Sequence, residues 1–146
     1  NQLLMIEKEN LETKIEVQER QISDKLSVLI VEDEETNYYY LVSILKKLNL
    51  KPVWAYNGEK AIELIKKQNF DIVFMDLKMP VMDGYETIKI IREFNKTIPV
   101  IAQTAYSDLQ DQIKAIECGF NGFISKPYEP EAIINAIKSN LVNGDK

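Results

Sequence analysis

The chain contains no histidine and only one cysteine, Cys118. Without histidine it has no Ser-His-Asp or Cys-His catalytic pair, no imidazole-ligated metal and no histidine to phosphorylate. A lone cysteine excludes an internal disulfide, a CxxC redox pair and a cysteine-rich zinc site, and gives no sign of an oxidising compartment. No stretch approaches the roughly 18 apolar residues of a membrane span. The N-terminus is charged and helical in pattern, unlike a secretory signal. Basic residues are in the minority, 18 Lys plus Arg against 23 Asp plus Glu, for a net charge of −5. That balance argues against direct nucleic-acid binding and against contact with an anionic membrane, both of which need basic surfaces.

What is present suits one globular domain with an appended element: 146 residues, 45% hydrophobic and 28% charged. Such a chain can bury a useful core without staples. It begins with Asn rather than Met, which suggests a piece of a longer protein.

Residues 1–26 differ from the rest. They lack Gly, Pro and aromatic residues, and Leu4, Leu11, Ile15, Ile22 and Leu26 recur at spacings of seven and four. This predicts an amphipathic helix. One reading is a solvated amphipathic helix, or a tail that orders only in a crystal; the other is a parallel coiled coil that makes a homodimer. Lys8 and Gln18 interrupt the apolar seam. Two segments are therefore expected, a helical extension over 1–26 and a folded domain over 27–146.

From residue 27 short β-branched runs alternate with longer helical patterns. The runs are Ser27–Val31, Lys51–Ala55, Ile72–Met75, Pro99–Gln103 and Gly122–Ser125; the helical patterns are Thr36–Leu48, Gly58–Lys67, Tyr85–Glu93, Leu109–Cys118 and Pro130–Leu141. The first, third and fourth runs are nearly all apolar, as in strands covered on both faces. The alternation predicts an α/β fold with a five-stranded parallel sheet, doubly wound by helices on both sides. Ligands of such sheets sit at the carboxyl ends of the strands.

Those ends carry the chemistry. The first is followed by Glu32-Asp33-Glu34-Glu35. Four carboxylates would repel a phosphate but suit a hard divalent cation; alternatively, Asp33 or Thr36 caps the next helix and the glutamates favour its N-terminus. The third ends in Asp76, a carboxylate that is costly after a buried apolar strand unless compensated. Side by side, Asp33 and Asp76 would need a cation such as Mg²⁺. The fourth ends in Thr104 and the fifth is followed by Lys126-Pro127, adding a hydroxyl donor and a positive charge. Together these form a phosphoryl-binding constellation. Met75 is expected in the core, and Met79 and Met82 in loop packing.

With these four motifs in order, the chain resembles a response-regulator receiver domain of two-component signalling. The resemblance covers about residues 27–141. It rests on Glu32-Asp33, on Met75-Asp-Leu-Lys-Met-Pro-Val-Met-Asp-Gly84, on Ala102-Gln-Thr-Ala105 and on Ile124-Ser-Lys-Pro127. It implies the flavodoxin-like strand order 2-1-3-4-5. It implies Asp76 as phosphoacceptor, with Mg²⁺ (or Mn²⁺) held by Asp33, Asp76, Glu32 and the Lys78 backbone carbonyl. Thr104 and Lys126 would bind the phosphoryl oxygens, and Thr104 and Phe123 would act as the switch. The Lys126–Pro127 bond would be cis. Glu32 stands where the family more often has Asp, and Phe123 lacks the hydroxyl of the alternative Tyr. The implied donor is a phosphohistidine on a histidine kinase or a histidine phosphotransfer domain, in the cytoplasm. The helical lead-in suits the C-terminal receiver of a hybrid sensor histidine kinase, whose parent protein can be membrane-anchored; a stand-alone regulator and an N-terminal receiver cut from its output domain are the other assignments. The fragment would then be a self-catalysed phosphoacceptor, and enzyme status stays open.

Three competitors share parts of this pattern. A flavodoxin-like electron carrier needs amide donors, not carboxylates, after the first strand. A phosphatase with an aspartyl nucleophile wants a second Asp two residues after Asp76, where Lys78 stands. A degenerate receiver serving as a dimerisation or docking module would not need the complete set of site residues.

Overall fold

A computed structural model of the chain describes Gln2, Met5, residues 26–105 and residues 109–144, with side chains to residue 140. Gln2 and Met5 are helical; Leu26, expected to end that helix, is not helical and packs in the core of the folded domain; residues 3–4 and 6–25, and with them the coiled-coil dimer, lie outside the described residues. The folded part runs β1 (Val28–Val31), α1 (Glu35–Lys46), β2 (Val53–Ala55), α2 (Gly58–Lys67), β3 (Ile72–Asp76), α3 (Gly84–Phe94), β4 (Val100–Thr104), α4 (Leu109–Cys118), β5 (Gly122–Ser125) and α5 (Pro130–Gly144). The five strands form one parallel sheet in the order β2-β1-β3-β4-β5.

Every residue of β1, β3 and β4 is buried, because alternate side chains enter opposite layers. Leu29, Val31, Val73, Met75, Val100 and Ala102 pack against Ala61 and Ile65 of α2, Ile88 and Ile91 of α3 and Ala115 of α4. Val28, Ile30, Ile72, Phe74 and Ile101 pack against Leu41, Ile44 and Leu45 of α1 and Ile133 and Ile137 of α5. Each large side chain so covered contributes about 1.5–3 kcal/mol. The sheet is thus held rigid from both faces, and its carboxyl edge is a firm base for polar groups.

Local chemistry moves several boundaries. The apolar pattern predicts a first helix to Leu48, but α1 stops at Lys46. Asn49, at φ +60, turns the chain so that Leu50 N–H bonds to Leu45 O and Leu48 and Leu50 still reach the core. Asn tolerates this left-handed geometry better than most residues. β2 starts at Val53 rather than Lys51 because Pro52 has no N–H for the ladder. The third strand extends one residue past Met75 and takes in Asp76, paired with Gln103. Met79 belongs to the buried core rather than to loop packing, at 7% exposure.

After β3 the chain folds back sharply. Val81 takes φ +69, Met82 N–H bonds to Pro80 O, and Gly84 N–H bonds to Leu77 O at 3.0 Å. Asp83 caps α3, its carboxylate accepting from Glu86 N–H at 2.9 Å. This return presses Gly84 against the strand end: a Cβ there would lie 2.6 Å from Asp76 O and 2.8 Å from Leu77 Cα. Backbone atoms cannot swing aside, so Gly84→Ala should cost about 2 kcal/mol, the range for overpacking. At Gly122 the nearest atom to an added Cβ is Ile101 Cδ1 at 3.5 Å, and Gly122→Ala should stay within about 0.5 kcal/mol of the parent. Urea unfolding of both variants checks the contrast; equal midpoints would contradict it.

Candidate functional site

Three strand ends and the turns that follow them assemble the site. Glu32 stands one residue beyond β1. Its N–H bonds to Ala55 O at 3.0 Å and its carbonyl accepts from Trp54 Nε1 at 2.8 Å. Its side chain is fully buried; Oε1 accepts from Glu34 N–H at 3.2 Å and Oε2 lies 3.4 Å from Lys126 Nζ. Asp76 closes β3 and is 5% exposed. Its Oδ1 accepts from Lys78 N–H at 3.1 Å, and its Oδ2 lies 3.2 Å from Lys126 Nζ. Asp33 Oδ1 is buried without a hydrogen-bond partner among the described residues. Carboxylate oxygens of Glu32, Asp33 and Asp76 all lie within 4.8 Å of one another.

The remaining expected site residues flank this cluster. Thr104 closes β4 and is buried, and its carbonyl accepts from Lys126 N–H at 2.8 Å. The Lys126–Pro127 peptide bond is cis. The Lys78 side chain is exposed while its N–H serves Asp76. Phe123, in β5, is half-buried against the layer of α2, α3 and α4. The acidic run splits: Glu34 is the N-cap of α1 and Glu35 lies in its first turn, both exposed. The loop therefore brings two carboxylates to the cluster, not four, because the helix starts there. Neither Asp33 nor Thr36 caps it, since the N-cap position makes no side-chain cap bond.

Electrostatics explain what the cluster favours. Three acids face one lysine. Burial pushes the Glu32 carboxyl up to about 7, the charge on Asp76 adds to this, and Lys126 opposes it. Tyr128 lies beneath, its phenol donating to Gln103 Oε1. Burial raises it first, then the negative charges of Glu32 and Asp76. The unpartnered oxygen of Asp33, the oxygen-only donor set and the surplus negative charge all fit a hard divalent cation.

Two members of the surroundings escaped sequence reasoning. Gln103 is fully buried, with an amide nitrogen that has no partner among the described residues. It is the one polar residue in the run Pro99–Gln103, which is a faint signal. Trp54 read only as a strand residue; nothing in the sequence pairs its indole with Glu32.

Comparison with known proteins bears on this geometry. The family model described as "Response regulator receiver domain" matches residues 28–138. A hybrid signal transduction histidine kinase K of Dictyostelium discoideum is 36% identical over 124 residues, covering 79% of this chain and 10% of that protein; the chain thus spans a small part of that relative. The receiver domain of the Saccharomyces cerevisiae response regulator Ssk1, solved with the histidine phosphotransfer protein Ypd1, is 33% identical at TM-score 0.73, covering 78% of this chain and 87% of that one. The receiver domain of the Pseudomonas aeruginosa sensor histidine kinase PA1611, with a magnesium ion coordinated in its active-site cleft, is 26% identical at TM-score 0.72, covering 78% and 95%. Among the described residues no helix is long and apolar enough to cross a membrane.

The raised Glu32 has a sign that can be tested. A carboxyl with an ordinary value of 4.5 and a folded value of about 7 binds its proton more tightly in the folded chain. Its contribution to stability is complete below about pH 4.5 and is lost as pH rises through 7. In the absence of divalent cations, Glu32→Gln should match the parent near pH 4.5 and exceed it by on the order of 3 kcal/mol at pH 8. Denaturant unfolding across that range checks it; a difference that does not grow with pH would contradict the assignment.

Proposed function

The chain belongs to the response-regulator receiver family and is a receiver domain of two-component signalling, and on that premise we propose that Asp76 accepts a phosphoryl group from a phosphohistidine of a histidine kinase or a histidine phosphotransfer domain. The observation that carries the proposal is the Glu32–Asp33–Asp76 cluster, with Glu32 and Asp76 buried and Lys126 Nζ 3.2 Å from Asp76 and 3.4 Å from Glu32.

An oxygen of Asp76 forms the new bond to phosphorus while the bond from phosphorus to the donor imidazole breaks and its electron pair leaves with that nitrogen. The product is an acyl phosphate. No base is needed, because the nucleophile is a carboxylate. Lys78 N–H holds Oδ1 of Asp76 and fixes the carboxylate plane. Lys126 stands beside Oδ2, within reach of the incoming phosphoryl oxygens, where it offsets charge in a loose transition state. The Thr104 hydroxyl, at the end of β4, is the hydrogen-bond donor to a phosphoryl oxygen. Glu32, Asp33, Asp76 and the Lys78 carbonyl hold Mg²⁺, with Mn²⁺ suited to the same oxygens. When bound, the cation supplies positive charge at the phosphoryl oxygens. Water attacking phosphorus later forms the new P–O bond, breaks the bond to Asp76 and releases inorganic phosphate, restoring the carboxylate. The phosphoryl group draws Thr104 toward it, and Phe123 turns inward to change the face around α4, β5 and α5.

Likeness to a hybrid kinase supports a parent of that class, with residues 1–26 as a linker to the receiver at 27–146 and a cytoplasmic setting for both.

Incubation with Mg²⁺ and acetyl phosphate should add one phosphoryl mass to the intact chain. Asp76→Asn should abolish the adduct, as should omission of divalent cation. Lys126→Met should slow its formation roughly a hundredfold, the usual effect of removing one donor to a developing charge. An adduct that persists in Asp76→Asn would overturn the proposal.

A further inference from the structure

Glu32 sits where the sheet stops directing the backbone, since β1 ends at Val31 and β2 at Ala55. Its N–H still finds Ala55 O, but its carbonyl has no strand partner and is met by a side chain instead, the Trp54 indole N–H at 2.8 Å. An indole can only donate, so this contact is directional.

The indole is itself held. The Tyr38 ring lies parallel to it at 4.1 Å and 8°, and Tyr39 meets it edge-on at 6.2 Å. Tyr38 belongs to the first turn of α1, and its N–H bonds to Glu34 O at 3.1 Å. Trp54 therefore touches both ends of the acidic turn: the carbonyl that opens it and the helix that closes it.

We infer that Trp54 is a positioning residue for divalent-cation binding, its indole N–H pinning the Glu32 carbonyl so that Glu32 and Asp33 stay turned toward Asp76. The physical need is plain. Carboxylates within 4.8 Å of one another repel when ionised, and an untethered turn would relax by swinging Glu32 and Asp33 toward solvent. A pinned backbone keeps the oxygens converged before the cation arrives, which raises affinity by preorganisation. Trp54 does this through Glu32 and touches no ligand oxygen of the cluster. The inference rests on the metal reading given above.

Trp54→Phe keeps an aromatic ring against Tyr38 and removes the N–H. The test is the rise in melting temperature across a Mg²⁺ series, which reports binding to the folded chain independently of turnover. The variant should need about tenfold more Mg²⁺ for the same rise, as for other groups that orient metal ligands. Its deficit in phosphorylation by acetyl phosphate should close as Mg²⁺ is raised. A variant that melts lower yet responds at parental Mg²⁺ concentrations would overturn the inference. A parent whose melting temperature ignores Mg²⁺ would overturn the metal reading, and the positioning role with it.

Discussion

Repulsion among three converging carboxylates, met by a single lysine, is the constraint around which the carboxyl edge of this sheet is organised. Left alone, such a cluster protonates or flies apart. Glu32 shows part of this cost: burial first, and then the charge on Asp76, drive it up to about 7 even with Lys126 in place. A dication bound there would offset the surplus negative charge. On the reading proposed above, the same feature that burdens the fold would favour binding of a dication.

Holding the acids together falls to the architecture. Placing β3 beside β1 in a parallel sheet puts Asp76 next to Glu32, one step past the Val31–Met75 pair. The apolar layers on both faces prevent the sheet from yielding to the repulsion. Two close approaches complete the frame. Gly84 lets the turn after β3 lie against the Asp76 backbone, and the Trp54–Tyr38 stack closes the turn after β1. The active geometry is thus a property of strand order plus these contacts, and no single loop carries it.

Much of this could be read from the chain alone, for a definite reason. Asp76 stands out because a carboxylate ends a buried apolar run, and Asp33, Thr104 and Lys126 stand out because each follows a strand signal. Position at a strand end is local information. What stayed hidden depends on partners far apart in the sequence. The Trp54 indole meets Glu32 only once β2 lies against β1. The buried Gln103 is tolerable only because Tyr128 comes from beyond β5 to bond with it. Glu34 and Glu35 looked like further site acids because the start of α1 is a backbone event that charge patterning does not reveal.

The central claim is that Asp76, and no other carboxylate of the cluster, bears the phosphoryl group. Borohydride reduction of the phosphorylated chain converts an aspartyl phosphate to homoserine, and peptide mass mapping then locates it. The account predicts homoserine at position 76 alone, formed only after Mg²⁺-dependent phosphorylation. Reduction at residue 32 or 33, or a phosphoryl adduct resistant to borohydride, would contradict it.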